Sequence, residues 1–441
     1  MDELNPGALR ALRRSILLRI HVWATLIATP FALLAIGSGL VYLFSPQIEQ
    51  ARHGHLLQVS QAKRPMLALD QLIAQAESAL PQGHWRLQNL RIPQAADESL
   101  QIRFKNPHQH GQHHPEHPSA ETLSVYLDPY TGKTLGTLDE AERFTPWAAD
   151  LHAHLLQGDG WRWMIELGAS WLLVMLLSGV ILWWPARWNR ATLSPAGKQG
   201  RAAWRAWHGL LGASLAAISA VILLTGLTWS KYGGENVRYL VQKSGQAGKR
   251  IPAGLQSASP AAASGARISW QAALEAARRH APPTALQLSA PGAQKPYWHV
   301  RNADANAAQH KFELALDAGD GSRLYYSGWQ EMSAFSQATA VGIPFHRGEF
   351  GWWNQALLLL FALGLLFSLL SGWVMLWLRW RKTGGSFFNS ILPPLPDGAW
   401  SALPGWAWLS ALLLPLIAPL LLPSALLPAA LEYRQAHLAP D

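Results

Sequence analysis

The sequence predicts a membrane protein: an all-α bundle of four core transmembrane helices plus a fifth, carrying two small α+β domains outside the membrane and built by internal parallel duplication. Three observations predict this. Five long stretches are almost free of charge, Lys and Arg gather at one end of them, and one set of motifs occurs twice along the 441 residues. Composition agrees. Only 14% of residues are charged, against about 25% in soluble domains. The 23 Trp suit a chain that crosses membrane–water interfaces, where Trp gathers. Net charge is +9, but the Arg residues lie beside apolar runs, so membrane orientation explains them and a nucleic-acid partner is not expected. There is no Cys, which excludes disulfides, Cys-ligated zinc, iron–sulfur clusters and covalently attached c-type haem.

The spans come first. A bilayer core of about 30 Å needs roughly 20 apolar residues. His21–Phe44, Leu167–Trp184, Trp207–Trp229 and Trp352–Leu378 meet that length with no Asp, Glu, Lys or Arg inside. Leu403–Leu427 is equally apolar but carries Pro404, Pro415, Pro419 and Pro423, and is read as one kinked span rather than a re-entrant hairpin. Orientation follows from charge. Arg10, Arg13, Arg14 and Arg19 precede the first span; Arg187, Arg190, Lys198, Arg201 and Arg205 fill the loop between the second and third; Arg379, Arg381 and Lys382 follow the fourth. With the N-terminus cytoplasmic, all three clusters fall inside, as the positive-inside rule requires. The first span is too long for a signal peptide and has no small-x-small cleavage site.

The chain then divides as a cytoplasmic N-terminus (1–20), span one (21–44) and an outer domain (45–150). Next come an outer His motif with span two (151–184), a basic inner loop (185–206) and span three (207–229). The second outer domain (230–345), a second His motif with span four (346–378), an inner loop (379–402), span five (403–427) and a C-terminal tail (428–441) complete it. In the first outer domain Met66–Leu80 has helical periodicity, Ser99–Lys105 and Thr122–Leu127 alternate like strands, and Asp128–Gly132 (DPYTG) is a turn. The second repeats that order with Ile268–His280, Trp298–Arg301, Lys311–Leu316 and the DAGDG turn at Asp317–Gly321.

The repeat extends into the spans. His21 precedes Gly39 of a Ser-Gly-Leu triplet by 18 residues, and His208 precedes Gly226 of a Thr-Gly-Leu triplet by 18. Both offsets are 187 (208 − 21 and 226 − 39). His152 is followed by Ser178-Gly179, and His346 by Ser371-Gly372. Two spans per half give both halves one orientation, related by a pseudo-twofold axis along the membrane normal.

Ionisable residues at membrane spans are functional candidates. His21 and His208 start equivalent helices at the inner face; His152 and His346 precede spans two and four at the outer face, with His154 competing with His152. A single interfacial His would be read as a polar helix end. Two at equivalent positions point to ligation, and a pair of facing neutral imidazoles is what b-type haem takes as axial ligands. A bare Zn²⁺ or Cu²⁺ site wants three or four close ligands, and no acid recurs at matching spacing. Glu166 is the nearby acid, with Arg162 placed to pair with it. Gly37, Gly39, Gly168, Gly179, Gly209, Gly212, Gly226, Gly364 and Gly372 permit close helix approach or room for a flat macrocycle. Trp183, Trp184, Trp188, Trp377 and Trp380 read as interfacial anchors. His108, His110, His113, His114 and His117 lie in a Pro- and Gln-rich loop with no counterpart in the second half, and read as a solvated insertion. No dinucleotide fingerprint, Walker A loop, Ser-His-Asp elbow or zinc-protease helix is present, so a redox role would need an external donor.

The segments LHAHLLQGDGWRW (Leu151–Trp163) with LLSGVILWWP, PFHRGEFGWW before span four, WHGLLG and LLTGL in span three, and the paired DPYTG and DAGDG turns together resemble the PepSY-associated transmembrane family, over about residues 10–382. Within it the layout is similar to the inner-membrane ferric-siderophore reductases (FoxB-like). Span one departs from that pattern, with Trp-Ala after Val22 in place of Leu-Gly. The resemblance implies PepSY-like periplasmic domains, a bacterial inner-membrane location and two b-type haems held by His21, His208, His152 and His346. It further implies a ferric siderophore as substrate, with a membrane quinol or a separate reductase as donor. Arg19, Arg205 and Arg347 stand ready for haem propionates or lipid phosphates. Rival readings are a siderophore or metal permease without redox activity, and a PepSY-type binding or sensing module. A homodimer in the lipid bilayer is left open.

Overall fold

A computed structural model describes residues 5–60, 64–106, 121–185, 194–304, 306–396 and 398–437. The His108–His117 loop and Arg187, Trp188 and Arg190 of the inner loop lie outside the described residues. In chain order the elements used below are α1 (Pro6–Leu43), α2 (Ser45–Leu57), α3 (Leu69–Ser78), β1 (Arg86–Ile92), β2 (Leu100–Lys105), β3 (Thr122–Leu127), β4 (Thr134–Asp139), α4 (Phe144–His154) and α5 (Trp163–Trp183). They continue with α6 (Gly200–Ser214), α7 (Ala216–Leu227), α8 (Tyr232–Lys243), α9 (Trp270–Arg278), β5 (Leu286–Ser289), β6 (Tyr297–Asn302), β7 (Glu313–Asp317), β8 (Arg323–Ser327), α10 (Ala334–Arg347), α11 (Trp352–Thr383), α12 (Gly405–Ile417) and α13 (Leu421–His437). The chain forms two compact units: Met1–Leu43, Asp150–Gly245 and Phe345–Asp441 make the helical one, and Phe44–Ala149 with Gln246–Pro344 make the other.

In the helical unit, three helical segments among the described residues are long and apolar enough to cross a membrane: Pro6–Leu57, Asp159–Trp183 and Trp352–Thr383. The expected spans one, two and four fall inside them. α1 begins at Pro6, not at His21. Small residues set the packing. Ala24, Ala28 and Ala32 recur every four residues on one face of α1 and are completely buried against Trp171, Leu172 and Leu173 of α5. Gly168 brings the backbones together, since a Cβ there would lie 2.7 Å from Phe31 Cβ.

Two expectations are corrected here. Span three is not one straight helix: α6 and α7 meet at Leu215 with a 59° bend. Gly364 of α11 makes room for it, because any Cβ there would collide with Leu215 Cδ1. Nor is Leu403–Leu427 a single kinked span. Its entry lies beside the start of α1, where Arg13 Nε donates to Ala402 O at 2.7 Å and Ile16 packs on Ala399 and Ala402. Its far end lies beside α8, where Asn236 Nδ2 donates to Leu416 O. The chain then turns back, because Ala418 leaves helical geometry (φ −136°, ψ 65°) and Pro419 cannot continue the ladder. Along α13, Ser424 accepts from Trp171 and Glu432 reaches Arg19 (2.7 Å) and Trp23 (2.6 Å), back at the level of the Arg cluster. The segment is a helical hairpin. At 13 residues its first arm spans only about 20 Å.

The outer segments also correct the expectation of two separate domains. Their strands form one eight-stranded antiparallel sheet in the order β4-β3-β2-β1-β5-β6-β7-β8. The central pair joins the halves through Leu90↔Leu288, Arg91↔Gln287 and Ile92↔Leu286. Read outward from that pair, each half gives the same order. β1, β4, β5 and β8 were not expected from the sequence; β1 is broken by a bulge between Leu87 and Asn89, and β5 has only four residues. The anticipated strands around Thr122–Leu127, Ser99–Lys105, Trp298–Arg301 and Lys311–Leu316 form, the last three with ends shifted by one or two residues. Helices α3 and α9 share one core with Leu90, Ile102, Phe104, Leu288, Trp298, Val300 and Leu314. They also cap each other across the halves: Asp70 of α3 accepts from Trp270 N and Gln271 N at the start of α9, both at 3.0 Å, satisfying amides that no helical carbonyl can reach.

Both anticipated turns form, with Gly132 and Gly321 at φ +73° and +72°. Asp128 accepts from Tyr130 N and Thr131 N. Asp317 is buried and accepts from Gly319 N, Ala258 N, Ser259 N and the Ser259 hydroxyl. Burial alone would raise its pKa, but those donors hold it down to about 2. Its unfolded value is about 3.9, so its ionised form contributes stability in full above about pH 4, and the contribution is lost as pH falls through about 2. Asp317→Asn should therefore cost about 2 kcal/mol or more at pH 7. Chemical denaturation of the full chain at a series of pH values should show wild type and variant converging between about pH 4 and pH 2.

Candidate functional site

Each of the four paired histidines rests on a hydroxyl–glycine dipeptide of a neighbouring helix. His21 Nδ1 of α1 lies 3.0 Å from Ser178 Oγ of α5, and His208 Nδ1 of α6 lies 2.9 Å from Ser371 Oγ of α11. At the other end, His152 Nδ1 of α4 lies 3.0 Å from Ser38 Oγ of α1, and His346 Nδ1 of α10 lies 2.9 Å from Thr225 Oγ1 of α7. In every case the next residue is the glycine that lets the ring approach. A Cβ at Gly179 would stand 3.0 Å from His21 Cε1; at Gly39 and Gly226 it would stand 3.3 Å from Cε1 of His152 and His346. Gly372 is looser, at 3.8 Å from His208 Cε1.

So α1 carries a His near its middle and a seat near its C-terminal end, and α5 returns a seat for that His. The α6–α7 pair and α11 repeat this. In the sequence Ser38 and Thr225 stand out as members of repeated triplets, and Ser178 and Ser371 as the Ser of repeated Ser-Gly pairs. Their pairing with the histidines was legible in principle, because a triplet 18 residues after a His lies about 27 Å away along the helix, at the opposite end. Each His must therefore meet the triplet of another helix.

The pairing across halves is direct for the inner set. The rings of His21 and His208 have centroids 6.1 Å apart and planes at 85°. Two imidazole nitrogens about 2 Å on either side of one metal ion require centroids roughly 6 Å apart. Between and beside them lies a cavity of about 690 Å³, including its open mouth. Leu172, Met175, Leu176, Val180, Leu223, Phe361 and Leu365 line it, with Gly179, Gly209 and Gly212 leaving wall area free of side chains. An apolar slot with two facing imidazoles fits a flat, hydrophobic macrocycle with a central metal. A bare polydentate site does not fit: among the described residues no three His, Asp or Glu side chains gather.

The second set is His152 and His346, each seated as described above. Tyr42 stacks parallel to His152 at 6.5 Å, and its hydroxyl accepts from Arg347 Nε at 2.7 Å. Gly158 and Gly351, at φ +84° and +86°, make the turns that start the helices after each His motif. His154 is engaged locally. Its Nδ1 accepts from Gly158 N at 3.2 Å, so the ring proton sits on Nε2, 3.4 Å from Asp150. Neither nitrogen offers a free lone pair.

The charged neighbours differ from expectation. Arg19 is paired with Glu432 and Pro393 O, so the hairpin's Glu takes the place foreseen for a propionate or lipid phosphate. Arg347 is held by Tyr42 and Glu349. Arg205 is exposed. Glu166 does not pair with Arg162; it is buried and accepts from Tyr232 N and Gly233 N, while Arg162 contacts Asp159 and Trp229 O. The open amides at the start of α8 are the better partner for a buried carboxylate than a mobile guanidinium.

The family model for the PepSY-associated TM region matches residues 18–379, which hold all four seated histidines. The chain belongs to that family. Comparison with curated proteins finds no match.

The seats make a contrast that mutagenesis can read. Gly179→Ala pushes a methyl into His21 and should cost about 1–3 kcal/mol, the usual penalty of overpacking. Gly372→Ala meets His208 at ordinary contact distance and should stay within about 1 kcal/mol of wild type. Thermal unfolding of the two variants in detergent checks this; equal losses would place the tight contact elsewhere.

Proposed function

We propose that this protein is a bacterial inner-membrane b-type dihaem protein that passes electrons outward to ferric siderophore in the periplasm and so releases ferrous iron. The observation that carries the reading is the duplicated seat. Two histidines from opposite halves face each other beside an apolar slot, and a second pair, His152 and His346, is seated on hydroxyl–glycine dipeptides farther along α1 and α7. The bend-joined α6–α7 acts as one span, so the core is four spans in two parallel halves. The mirrored strand order supports duplication in the outer, PepSY-like domains too.

Haem bound at each pair would supply a one-electron carrier near each membrane face. The chain's own part is to hold and shield. His21 with His208, and His152 with His346, would hold the haem irons. The slot residues exclude water, and Ser and Thr hydroxyls hold the rings. The inner side carries no dinucleotide or flavin fingerprint, so a membrane quinol or a separate reductase is the donor. The substrate class rests on the resemblance to ferric-siderophore reductases.

Purified protein should be red, with a reducible visible spectrum and two haems per chain. His208→Ala and His21→Ala should deplete the same haem, and His346→Ala and His152→Ala the other, with His154→Ala retaining both. Chemically reduced protein mixed with ferric siderophores should reoxidise as ferrous iron accumulates on a chelator, and His346→Ala should lose that step. A colourless protein would leave transport or sensing as the account.

Orientation is tested separately. Reporter fusions at Asp128 and at Asp317 should both be active only with a periplasmic reporter. A cytoplasmic signal from either overturns the layout.

A further inference from the structure

We propose that Ser38, Ser178, Thr225 and Ser371 are positioning residues that lock the four histidines in one tautomer, with the ring proton on Nδ1 and the free electron pair on Nε2. The redox consequence rests on the dihaem reading; the tautomer itself does not.

A hydroxyl has one proton to give. In Ser38, Ser178 and Thr225 it is directed at the carbonyl four residues back on the same helix, Leu34 O, Val174 O and Val221 O, each at 2.7 Å. In Ser371 it is directed at Ser368 O at 3.1 Å. With its proton so placed, each oxygen can only accept from the ring. The Nδ1 facing it at 2.9–3.0 Å must then be the donor.

The lone pair is thereby left on Nε2, across the ring from the helix that seats it. The acceptors are neutral, so they raise the basicity of Nε2 modestly, where a carboxylate in the same place would raise it strongly. A membrane interior favours this choice, since a buried unpaired carboxylate is costly there. The sequence keeps a hydroxyl at all four places, three as Ser and one as Thr, and follows each with the glycine that admits the ring.

The test uses the full-length chain as purified, labelled with ¹⁵N histidine and reduced so that any haem iron is diamagnetic. Solid-state NMR should show the four rings protonated at Nδ1. Ser178→Ala should shift the Nδ1 signal of His21 alone and raise the midpoint potential of the inner centre alone. Thr225→Ala should do the same for His346 and the outer centre, while Ser178→Thr and Thr225→Ser restore wild-type signals and potentials. A purely structural role would not move one centre and spare the other. The proposal is overturned if Ser178→Ala leaves the His21 signal unchanged, or if any of the four rings carries its proton on Nε2. A chain without haem would still give the ring signals, so failure of the dihaem reading is told apart from failure of this one.

Discussion

The imidazole seated on a hydroxyl–glycine pair is the contact on which the membrane unit depends. It joins helices that are distant in sequence, α1 to α5 at one end and α4 to α1 at the other, and the second half repeats it. It needs a small residue where the ring comes closest and a hydroxyl one residue earlier. Both requirements are met four times. Around it, Ala24, Ala28, Ala32 and Gly168 draw α1 and α5 together closely enough for the seats to face the rings. Without that approach the histidines would be isolated polar groups at helix ends.

Much of this was legible in the sequence. Long uncharged stretches marked the spans, because hydropathy over about 20 residues has few other causes. The 187-residue spacing marked His21 and His208 as equivalents. Three things were hidden for physical reasons. The bend at Leu215 depends on the space Gly364 leaves on another helix, which no local pattern records. The hairpin at residues 403–437 is decided by its partners, Arg13, Asn236, Trp171 and Arg19, and not by its own prolines, which suit a kink equally well. That His154 spends Nδ1 on Gly158 N depends on the turn that closes there, which no sequence spacing records.

The sheet unit shows how two similar halves can disguise their own count. Each half has a helix and four strands, enough to suggest a separate small domain. Yet the halves meet at β1 and β5, the strands least visible in the sequence, and their helices cap one another through Asp70. Joining removes two open sheet edges that would otherwise invite aggregation. It also gives two small cores the burial of one larger one. The buried Asp317 network then ties residues 257–259 to the turn of the second half.

The central claim is that the facing histidines hold haem iron between them. Electron paramagnetic resonance of the oxidised, purified protein tests it most directly. His21 and His208 have ring planes at 85°, and perpendicular imidazole planes give a strongly anisotropic low-spin ferric signal. The account predicts that signal from the inner centre, its loss in His208→Ala, and a second low-spin signal that persists. A protein with no ferric haem signal, or with only high-spin iron, would contradict it.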